Sequence, residues 1–375
     1  MARGKANDLI FMQRALQLAA RGQGRVEPNP MVGCVIVQRG EIIGEGYHRC
    51  FGGPHAEVEA LRRCRRSPRG ATVYVTLEPC CHFGKTPPCT DALVSAGVKR
   101  IVAAVRDPMP EVAGRGFRKL RAAGIAVETG LLAQQAVDLN APFFKLVQHG
   151  RPWVILKWAQ SLDGKIATRT GDSKWISDTD ARRHAHRVRG RVDAVVVGRA
   201  TVVRDDPHLT CRVGHARRVA TRVVLDSRLQ ISPRSRLVRS ARKTPTWLFC
   251  GRAAPTRKAR VLEAAGCTIH RVKCTRDGVS LPAVLNVLGA HKMTNILVEG
   301  GGRLLGSFVD QRLADEVHIY LAPVLIGGRN AVSALDARGP ATVSASLSLP
   351  TPMATRRLGR AWFLRVRCES PPLLR

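Results

Sequence analysis

A histidine, two cysteines and a glutamate in the first half of the chain have the types and placement of a catalytic zinc site. His55 stands two residues before Glu57, and Cys80 and Cys89 follow further along. Zinc that performs hydrolysis has three protein ligands and keeps its fourth position for water. Glu57 can approach such a metal without binding it, and a carboxylate there can take a proton from water and pass it to a departing amine.

These residues match the H-x-E and P-C signature of zinc-dependent deaminases, with one departure. That signature usually ends in P-C-x-x-C, whereas eight residues separate Cys80 from Cys89 in this chain. Cys81 is adjacent to Cys80 and cannot easily share the same tetrahedron. The spacing alone therefore leaves either Cys89 or His82 as the third ligand beside His55 and Cys80.

The predicted elements around these residues place them at the ends of helices and strands. A helix is predicted over 55–63, after a Gly-Gly-Pro turn, and a strand over 71–77, just before Glu78 and Pro79. A helix over 10–20 and short apolar strands accompany them, in an alternating order of strands and helices. This order indicates an α/β sandwich with a mixed sheet.

The pattern restarts near Gly150, and the second half is also predicted to be α/β. A polar helix is predicted over 179–189, and the stretch NILVEGGGRLLGSF indicates a strand, a glycine-rich turn and a helix that begins near Arg303. Amide groups at such a turn can bind an anion. The stretch is not G-x-G-x-x-G, so a Rossmann site is not supported. We place the domain boundary between residues 148 and 149.

Composition excludes several classes of protein. There are 11 cysteines spread over 375 residues and no apolar run long enough to cross a membrane, so we expect a cytoplasmic protein without a membrane partner. The net charge of +33 is weighted to the second half and would attract polyanions. Aromatic residues are only 5% of the chain and do not interleave with the arginines, so no nucleic-acid partner is expected.

Longer motifs resemble the bifunctional deaminase–reductase family of riboflavin biosynthesis. They are PNPMVGCVIV, HAEVEAL, VTLEPC, HFGKTPPC and DPMPEVAGRG in the first half, and LKWAQSLDGKIA, GDSKWIS, DDPHLTCR and VEGGGRLLGSF in the second. In that family the eight-residue gap between the two cysteines is normal, which favours Cys89 over His82 as the third ligand. Cys81 stands where the family more often has a small hydroxyl residue.

The resemblance implies a fold class and two reactions. A cytidine-deaminase-like αβα sandwich, residues 1–148, would deaminate 2,5-diamino-6-ribosylamino-4(3H)-pyrimidinone 5′-phosphate with the help of Zn²⁺. A dihydrofolate-reductase-like α/β domain, residues 149–375, would then use NADPH to reduce the ribosyl group to ribityl. The partner would be this small-molecule ribotide, and we expect a homo-oligomer.

The resemblance also implies which residues serve each site. Glu57 would be catalytic and His55, Cys80 and Cys89 would bind the metal, while the deaminase substrate would contact Asn29, His82, Lys85 and Asp107. The NADPH contacts would be Ala159, Trp175, Thr201, Asp205, Ser227, Gly301, Gly302, Arg303, Leu304, Leu305, Gly306 and Ser307. The reductase substrate would contact Lys157, Ser173, Arg189, Leu209, Arg212 and Glu299. Glu299 is expected to orient ribose hydroxyls or to help protonate the opened sugar.

Two other interpretations use the same residues. An RNA or nucleotide deaminase with a basic binding domain would explain the positive charge, but it predicts PCxxC and aromatic contacts to a flipped base. A basic RNA-binding protein with a structural zinc would close its site with four ligands and would not need Glu57.

Overall fold

The structure is a computed structural model that describes residues 2–349 and 354–368. The chain divides into two compact units, one ending at His149 and the other beginning at Gly150. Each unit has its own sheet and its own apolar core. None of the described helices is long and apolar enough to cross a bilayer.

Within the described residues, the first unit is a five-stranded mixed sheet with helices on both faces. Its strand order is β2-β1-β3-β4-β5, with β1 antiparallel to both β2 and β3 and with β3, β4 and β5 parallel. The elements are α1 Ala2–Ala19, β1 Gly33–Gln38, β2 Glu41–Tyr47, α2 Ala56–Leu61, β3 Thr72–Val75, α3 Cys89–Ser95, β4 Arg100–Ala103, α4 Arg115–Ala122, β5 Ala126–Thr129, α5 Ala133–Leu139 and α6 Ala141–His149.

The apolar residues of these strands alternate between two cores. Val35, Tyr74 and Val102 pack against α1 and α6 on one face, while Ile36 and Val73 pack against α2, α3 and α4 on the other. This alternation follows from the two-residue period of a strand, which directs successive side chains to opposite faces. It produces the predicted three-layer sandwich. Helix α1 begins well before residue 10, where the sequence predicted its start.

Helix α2, which carries Glu57, lies unusually close to strand β2. A Cβ atom at Gly46 would stand 2.4 Å from both the Ala56 oxygen and the Ala60 nitrogen, and one at Gly44 would stand 2.6 Å from the Ala60 oxygen. These positions therefore need glycine because the helix backbone occupies the space of a side chain. The close approach fixes the depth of α2 over the sheet.

The second unit is built on a nine-stranded sheet within the described residues, in the order β11-β10-β9-β8-β14-β6-β15-β18-β17. In this order, the strands from β11 to β15 are all parallel to one another. Strands β18 and β17 continue the sheet after β15 with antiparallel pairing. The elements are β6 Trp153–Ser161, β7 Lys165–Ala167, α7 Thr179–Arg189, β8 Ala194–Gly198, α8 Arg199–Asp205, β9 Thr221–Leu225, α9 Arg236–Arg239, β10 Thr246–Gly251, α10 Thr256–Ala264, β11 Thr268–Val272, β12 Cys274–Thr275, β13 Gly278–Val279, α11 Leu281–Ala290, β14 Asn295–Glu299, α12 Gly302–Asp310, β15 Glu316–Ala322, β16 Val332–Ser333, β17 Ala354–Leu358 and β18 Ala361–Arg367.

The centre of this sheet brings two charged residues side by side. Strand β6 pairs with β14 in a register that sets Lys157 opposite Glu299, and β6 pairs with β15 in a register that sets Lys157 opposite His318. Neighbouring residues in a sheet project to the same face. These polar residues therefore share one face at the carboxyl end of β14, where open α/β sheets usually bind ligands.

Candidate active sites

His55 and Glu57 owe their positions to the start of helix α2. His55 is the N-cap residue of that helix, with an extended backbone, and Glu57 lies in its first turn. His55 is partly buried, whereas Glu57 is only 3% exposed. The first turn of a helix favours negative charge, and this accommodates a carboxylate next to a metal site. The sequence predicted a longer helix, because it counted His55 and residues 62 and 63 as helical.

The side chains of His55, Cys80 and Cys89 converge on one point, and their ligand atoms all lie within 4.8 Å of one another. His55 Nδ1 is 3.5 Å from Cys80 Sγ and 3.3 Å from Cys89 Sγ. Zinc bonds of about 2.3 Å to sulfur and about 2.0 Å to nitrogen, at tetrahedral angles, would separate S and N by about 3.5 Å. One ring nitrogen cannot direct a single lone pair at two sulfurs, so this donor set fits a shared metal better than hydrogen bonds alone.

The two cysteines reach this point from different elements. Cys80 lies in the loop after β3, whereas Cys89 is the first residue of α3. Pro88, which precedes Cys89, cannot donate a backbone hydrogen bond and is suited to a helix start. The Cys89 backbone N–H then donates to Cys80 Sγ at 3.3 Å.

Electrostatics in this site favour one thiolate and one carboxyl that titrates near neutrality. The hydrogen bond from the Cys89 thiol, and next to it the one from His55, hold the pKa of Cys80 well below its usual range. Burial raises the pKa of Glu57 to about 7, and the nearby Cys80 charge adds to this effect. A thiolate is the form that binds metal, and a carboxyl with a pKa near neutrality can both accept and donate a proton.

A pocket of about 310 Å³ opens onto the metal-ligand cluster. Its lining includes all four residues expected to contact the deaminase substrate, namely Asn29, His82, Lys85 and Asp107, as well as His55, Glu57 and Cys80. Lys85 and His82 are exposed at its mouth, and Lys85 Nζ lies 3.9 Å from the centre of the Phe51 ring. Asp107 is buried deep in the pocket, and burial raises its pKa to about 7.

In the second unit, Arg189 and Lys157 surround the buried carboxylate of Glu299. Arg189 donates two hydrogen bonds to it, from Nε at 2.8 Å and from Nη2 at 2.5 Å. Burial acts to raise the pKa of Glu299, but the charges of Arg189 and Lys157 outweigh burial and hold that pKa at about 2. Burial lowers the pKa of Lys157. Glu299 is therefore a permanent carboxylate in this arrangement, which suits anchoring hydroxyl groups better than giving up a proton.

The glycine-rich turn adjoins this cluster. Gly300 has a φ of +138°, and a Cβ added there would lie only 2.9 Å from Thr201 Oγ1, so the position favours glycine. A Cβ at Gly301 would meet open space, and α12 begins at the next residue. Free space beside the first amides of a helix fits a phosphate of a dinucleotide.

The remaining expected reductase residues lie on several elements. Ala159 is on β6, Thr201 and Asp205 are on α8, and the start of α12 is formed by the run Gly301, Gly302, Arg303, Leu304, Leu305, Gly306 and Ser307.

The other expected residues lie in loops. Ser227 follows β9, and its backbone carbonyl accepts a hydrogen bond from the Gly251 N–H. Arg212 Nη2 lies 3.5 Å from His186 Nε2, and Leu209 is buried with a φ of +54°. Ser173 precedes Trp175, which is 69% exposed and lies 4.4 Å from the Arg182 guanidinium.

Comparison with known proteins accounts for both units. A family model described as the RibD C-terminal domain matches residues 152–353, and another, the cytidine and deoxycytidylate deaminase zinc-binding region, matches residues 5–105. The chain is 44% identical to riboflavin biosynthesis protein RibD of Bacillus amyloliquefaciens, over 88% of each protein. The chain belongs to the RibD family.

Solved structures agree with this assignment to the RibD family. RibD of Acinetobacter baumannii is 36% identical, with a TM-score of 0.86 over 96% of this chain and 99% of that one. A Thermotoga maritima diaminohydroxyphosphoribosylaminopyrimidine deaminase/5-amino-6-(5-phosphoribosylamino)uracil reductase is also 36% identical, with a TM-score of 0.84 over the same shares. The predicted fold class and the prediction of a bifunctional deaminase and reductase of riboflavin biosynthesis are confirmed.

Sequence reasoning missed two residues that shape the pocket of the first unit. Glu78 is 3% exposed and accepts hydrogen bonds from the backbone N–H groups of Asp107, Gly114 and Phe117, so it holds the loop that carries Asp107. Its position directly before Pro79 and Cys80 was the available signal. His48, which lines the deaminase pocket beside Asn29, gave no signal because a single histidine at a strand end is ordinary.

Proposed function

We propose that the first unit binds one Zn²⁺ through His55, Cys80 and Cys89 and deaminates 2,5-diamino-6-ribosylamino-4(3H)-pyrimidinone 5′-phosphate. The observation that carries this proposal is the convergence of three ligand atoms within 4.8 Å at the floor of a pocket that also contains the buried Glu57. Three ligands leave the fourth position that hydrolysis needs. Zinc, when bound, lowers the pKa of water toward roughly 7 and so supplies a nucleophile at neutral pH.

The residues of the pocket would divide the remaining work. Glu57 takes a proton from the attacking water and delivers it to the amino group that leaves ring carbon 2 as ammonia. Lys85 at the mouth can pair with the ribose phosphate as a mobile cation. Asn29 and Asp107 supply polar contacts inside the pocket, and the exposed His82 stands where it can reach the ribose phosphate.

We propose that the second unit reduces the deaminated ribotide with NADPH. The cofactor supplies the hydride, and the protein positions the opened ribose against it. The amides at Gly301 and Gly302 would bind a cofactor phosphate, with Thr201 and Asp205 on the adjoining helix. The carboxylate of Glu299 would accept hydrogen bonds from ribose hydroxyls, and the buried Lys157 beside it would lie next to the opened ribose.

We propose further that the protein is a homo-oligomer of the cytoplasm that acts on small molecules and not on nucleic acid. The free cysteines fit a reducing compartment. Light scattering of the purified enzyme tests the oligomeric state. Competition by excess RNA in the deaminase assay tests the last point, and inhibition that persists at physiological salt would contradict it.

The direct test of the proposed function is an assay of purified protein with the diamino-pyrimidinone ribotide. We expect ammonia release without NADPH, and NADPH consumption only after the deaminated product forms. Ammonia release from RNA but not from the ribotide would contradict the proposal.

Cys89→Ser tests the metal site in the same protein, with Cys81→Ser as its matched control. The first substitution should remove most of the bound zinc and all measurable deamination, because a hydroxyl is a poor zinc ligand. The second should leave zinc content and ammonia release near those of the unaltered enzyme. Unchanged zinc content in Cys89→Ser would show that Cys89 is not the third ligand.

A further inference from the structure

We propose that His48 fixes the orientation of the Asn29 side-chain amide, so that Asn29 offers an acceptor oxygen to the deaminase substrate. The inference deepens the proposed function and rests on it. His48 follows strand β2 and is 2% exposed, and Asn29 lies in the loop before β1. Both residues line the pocket that contains Glu57 and the metal-ligand cluster.

One hydrogen bond determines which nitrogen of His48 carries hydrogen. His48 Nδ1 lies 3.0 Å from the Pro54 carbonyl oxygen. A carbonyl oxygen can only accept, so Nδ1 must be the donor. The other ring nitrogen, Nε2, faces the Asn29 side-chain nitrogen, and an NH₂ group can only donate. Nδ1 is therefore the donor of the ring and Nε2 its acceptor.

The acceptor nitrogen Nε2 of His48 determines which end of the Asn29 side-chain amide faces it. Asn29 Nδ2 lies 3.2 Å from His48 Nε2. An amide has one donor end and one acceptor end, and only the NH₂ group can satisfy Nε2. The other end, Oδ1, accepts no hydrogen bond from the residues that the structure describes, and Asn29 faces the pocket. Oδ1 is therefore free to accept from a ligand.

This chain of hydrogen bonds makes the pocket selective for a donor at one place. The Pro54 carbonyl orders His48, His48 orders Asn29, and Asn29 then accepts an N–H or O–H group from an aminopyrimidine ribotide. If the amide turned over, its NH₂ group would face the same substrate donor, and two unsatisfied donors would confront each other. Such a mismatch in a buried site should lower kcat/KM by about 10- to 100-fold, which is about 1.4–2.7 kcal/mol at about 1.36 kcal/mol per tenfold.

The tautomer of His48 can be observed directly by NMR. Full-length, zinc-loaded enzyme labelled with ¹⁵N-histidine would be examined by long-range ¹H–¹⁵N correlation, and the His48 signals assigned by their absence in His48→Leu. We expect a protonated Nδ1 and an unprotonated Nε2. A protonated Nε2, alone or together with Nδ1, would overturn the proposal, since Asn29 would then have to face His48 with its oxygen.

A double-mutant cycle tests whether His48 acts through Asn29. His48→Leu should lower kcat/KM for deamination by about 10- to 100-fold at unchanged zinc content, and His48→Gln, which can donate and accept, should recover part of the loss. In an Asn29→Ala background, His48→Leu should change kcat/KM by no more than about 2-fold. Losses that multiply would overturn the proposal, because they would make His48 independent of Asn29.

Two controls separate this inference from folding effects and from the proposed function. His149→Leu makes the same chemical change at an exposed position of the first unit and should alter neither activity nor Tm. If the unaltered enzyme released no ammonia from the ribotide, the proposed function would fail. The NMR experiment would still decide the orientation of Asn29, because it needs no substrate.

Discussion

Glu57 in the first unit and Glu299 in the second are both buried carboxyl groups, yet their pKa values move in opposite directions. Glu57 is 3% exposed, no cation is bonded to it within the described residues, and burial raises its pKa to about 7. Glu299 is 6% exposed, and Arg189 and Lys157 hold its pKa at about 2. Burial is similar at the two positions, so the neighbouring charges decide the outcome.

This difference separates two kinds of work that one residue type can do. A carboxyl that titrates near neutrality can take up and release a proton within a reaction, whereas a clamped carboxylate offers a fixed negative charge and two acceptor oxygens. The first suits hydrolysis, in which water must lose a proton. The second suits reduction, in which the protein has to hold a sugar in place for a hydride.

Removing the carboxyl of Glu57 should have the largest effect. Glu57→Gln keeps the size of the side chain but cannot accept the proton from water, so the kcat of deamination should fall by about 10²- to 10⁴-fold. Zinc content and the reduction of added deaminated ribotide should not change. The matched control is Glu59→Gln, which alters a buried glutamate two residues away that pairs with Arg63 instead. A similar loss of kcat in both variants would argue for damage to α2.

Removing the clamp on Glu299 should have the next largest effect. Arg189→Leu leaves a buried carboxylate without its bidentate partner, which should lower the free energy of unfolding by about 3–5 kcal/mol. Reduction should be strongly impaired and ammonia release retained. Denaturant unfolding measures the stability, and Glu299→Gln added to the same chain should restore part of it. If the second substitution restored nothing, the buried charge would not be the source of the loss.

Asp107 provides the smallest and most pH-dependent test. Its pKa in the folded protein is raised by burial from 3.8 to about 7, so the carboxyl costs stability as the pH rises through that window. Asp107→Asn removes this cost, and it should raise stability by about 1–4 kcal/mol at pH 8 but by much less at pH 5. Tm measured at the two pH values decides the matter, while deamination should weaken. An equal change of Tm at both values would contradict the raised pKa.

The sequence predicted best those features that depend on neighbours in the chain. His55 and Glu57 were placed at a helix start, and Glu299 at the end of a strand before a glycine-rich turn, which is where the structure has them. These positions depend on local periodicity and on turn residues, which the sequence displays directly. The roles of the individual site residues stay predictions until the experiments above are done.

Features that depend on distant partners could not be predicted. Arg189 and Glu299 are 110 residues apart in the chain, and both were expected to contact the substrate rather than each other. His48 gains its significance only from the Pro54 carbonyl and from Asn29, 19 residues earlier. The pKa shifts of Glu57 and Glu299 are opposite because the neighbouring charges of the two carboxyl groups differ. No local sequence pattern shows which charges those are.

Because Gly46 has no side chain, helix α2 can pack closely on β2, and this makes the first unit sensitive to substitution at a position outside its pocket. Gly46 is absent from the pocket lining, but the backbone of α2 packs directly against it. Helix α2 begins directly after His55 and carries Glu57, the proposed metal ligand and the proposed proton carrier. Even a methyl group there would have to lift the helix away from the sheet. Substitutions at Gly46 would therefore weaken metal binding without touching the pocket. A genetic screen for loss of flavin synthesis would then find them together with substitutions of the metal ligands themselves.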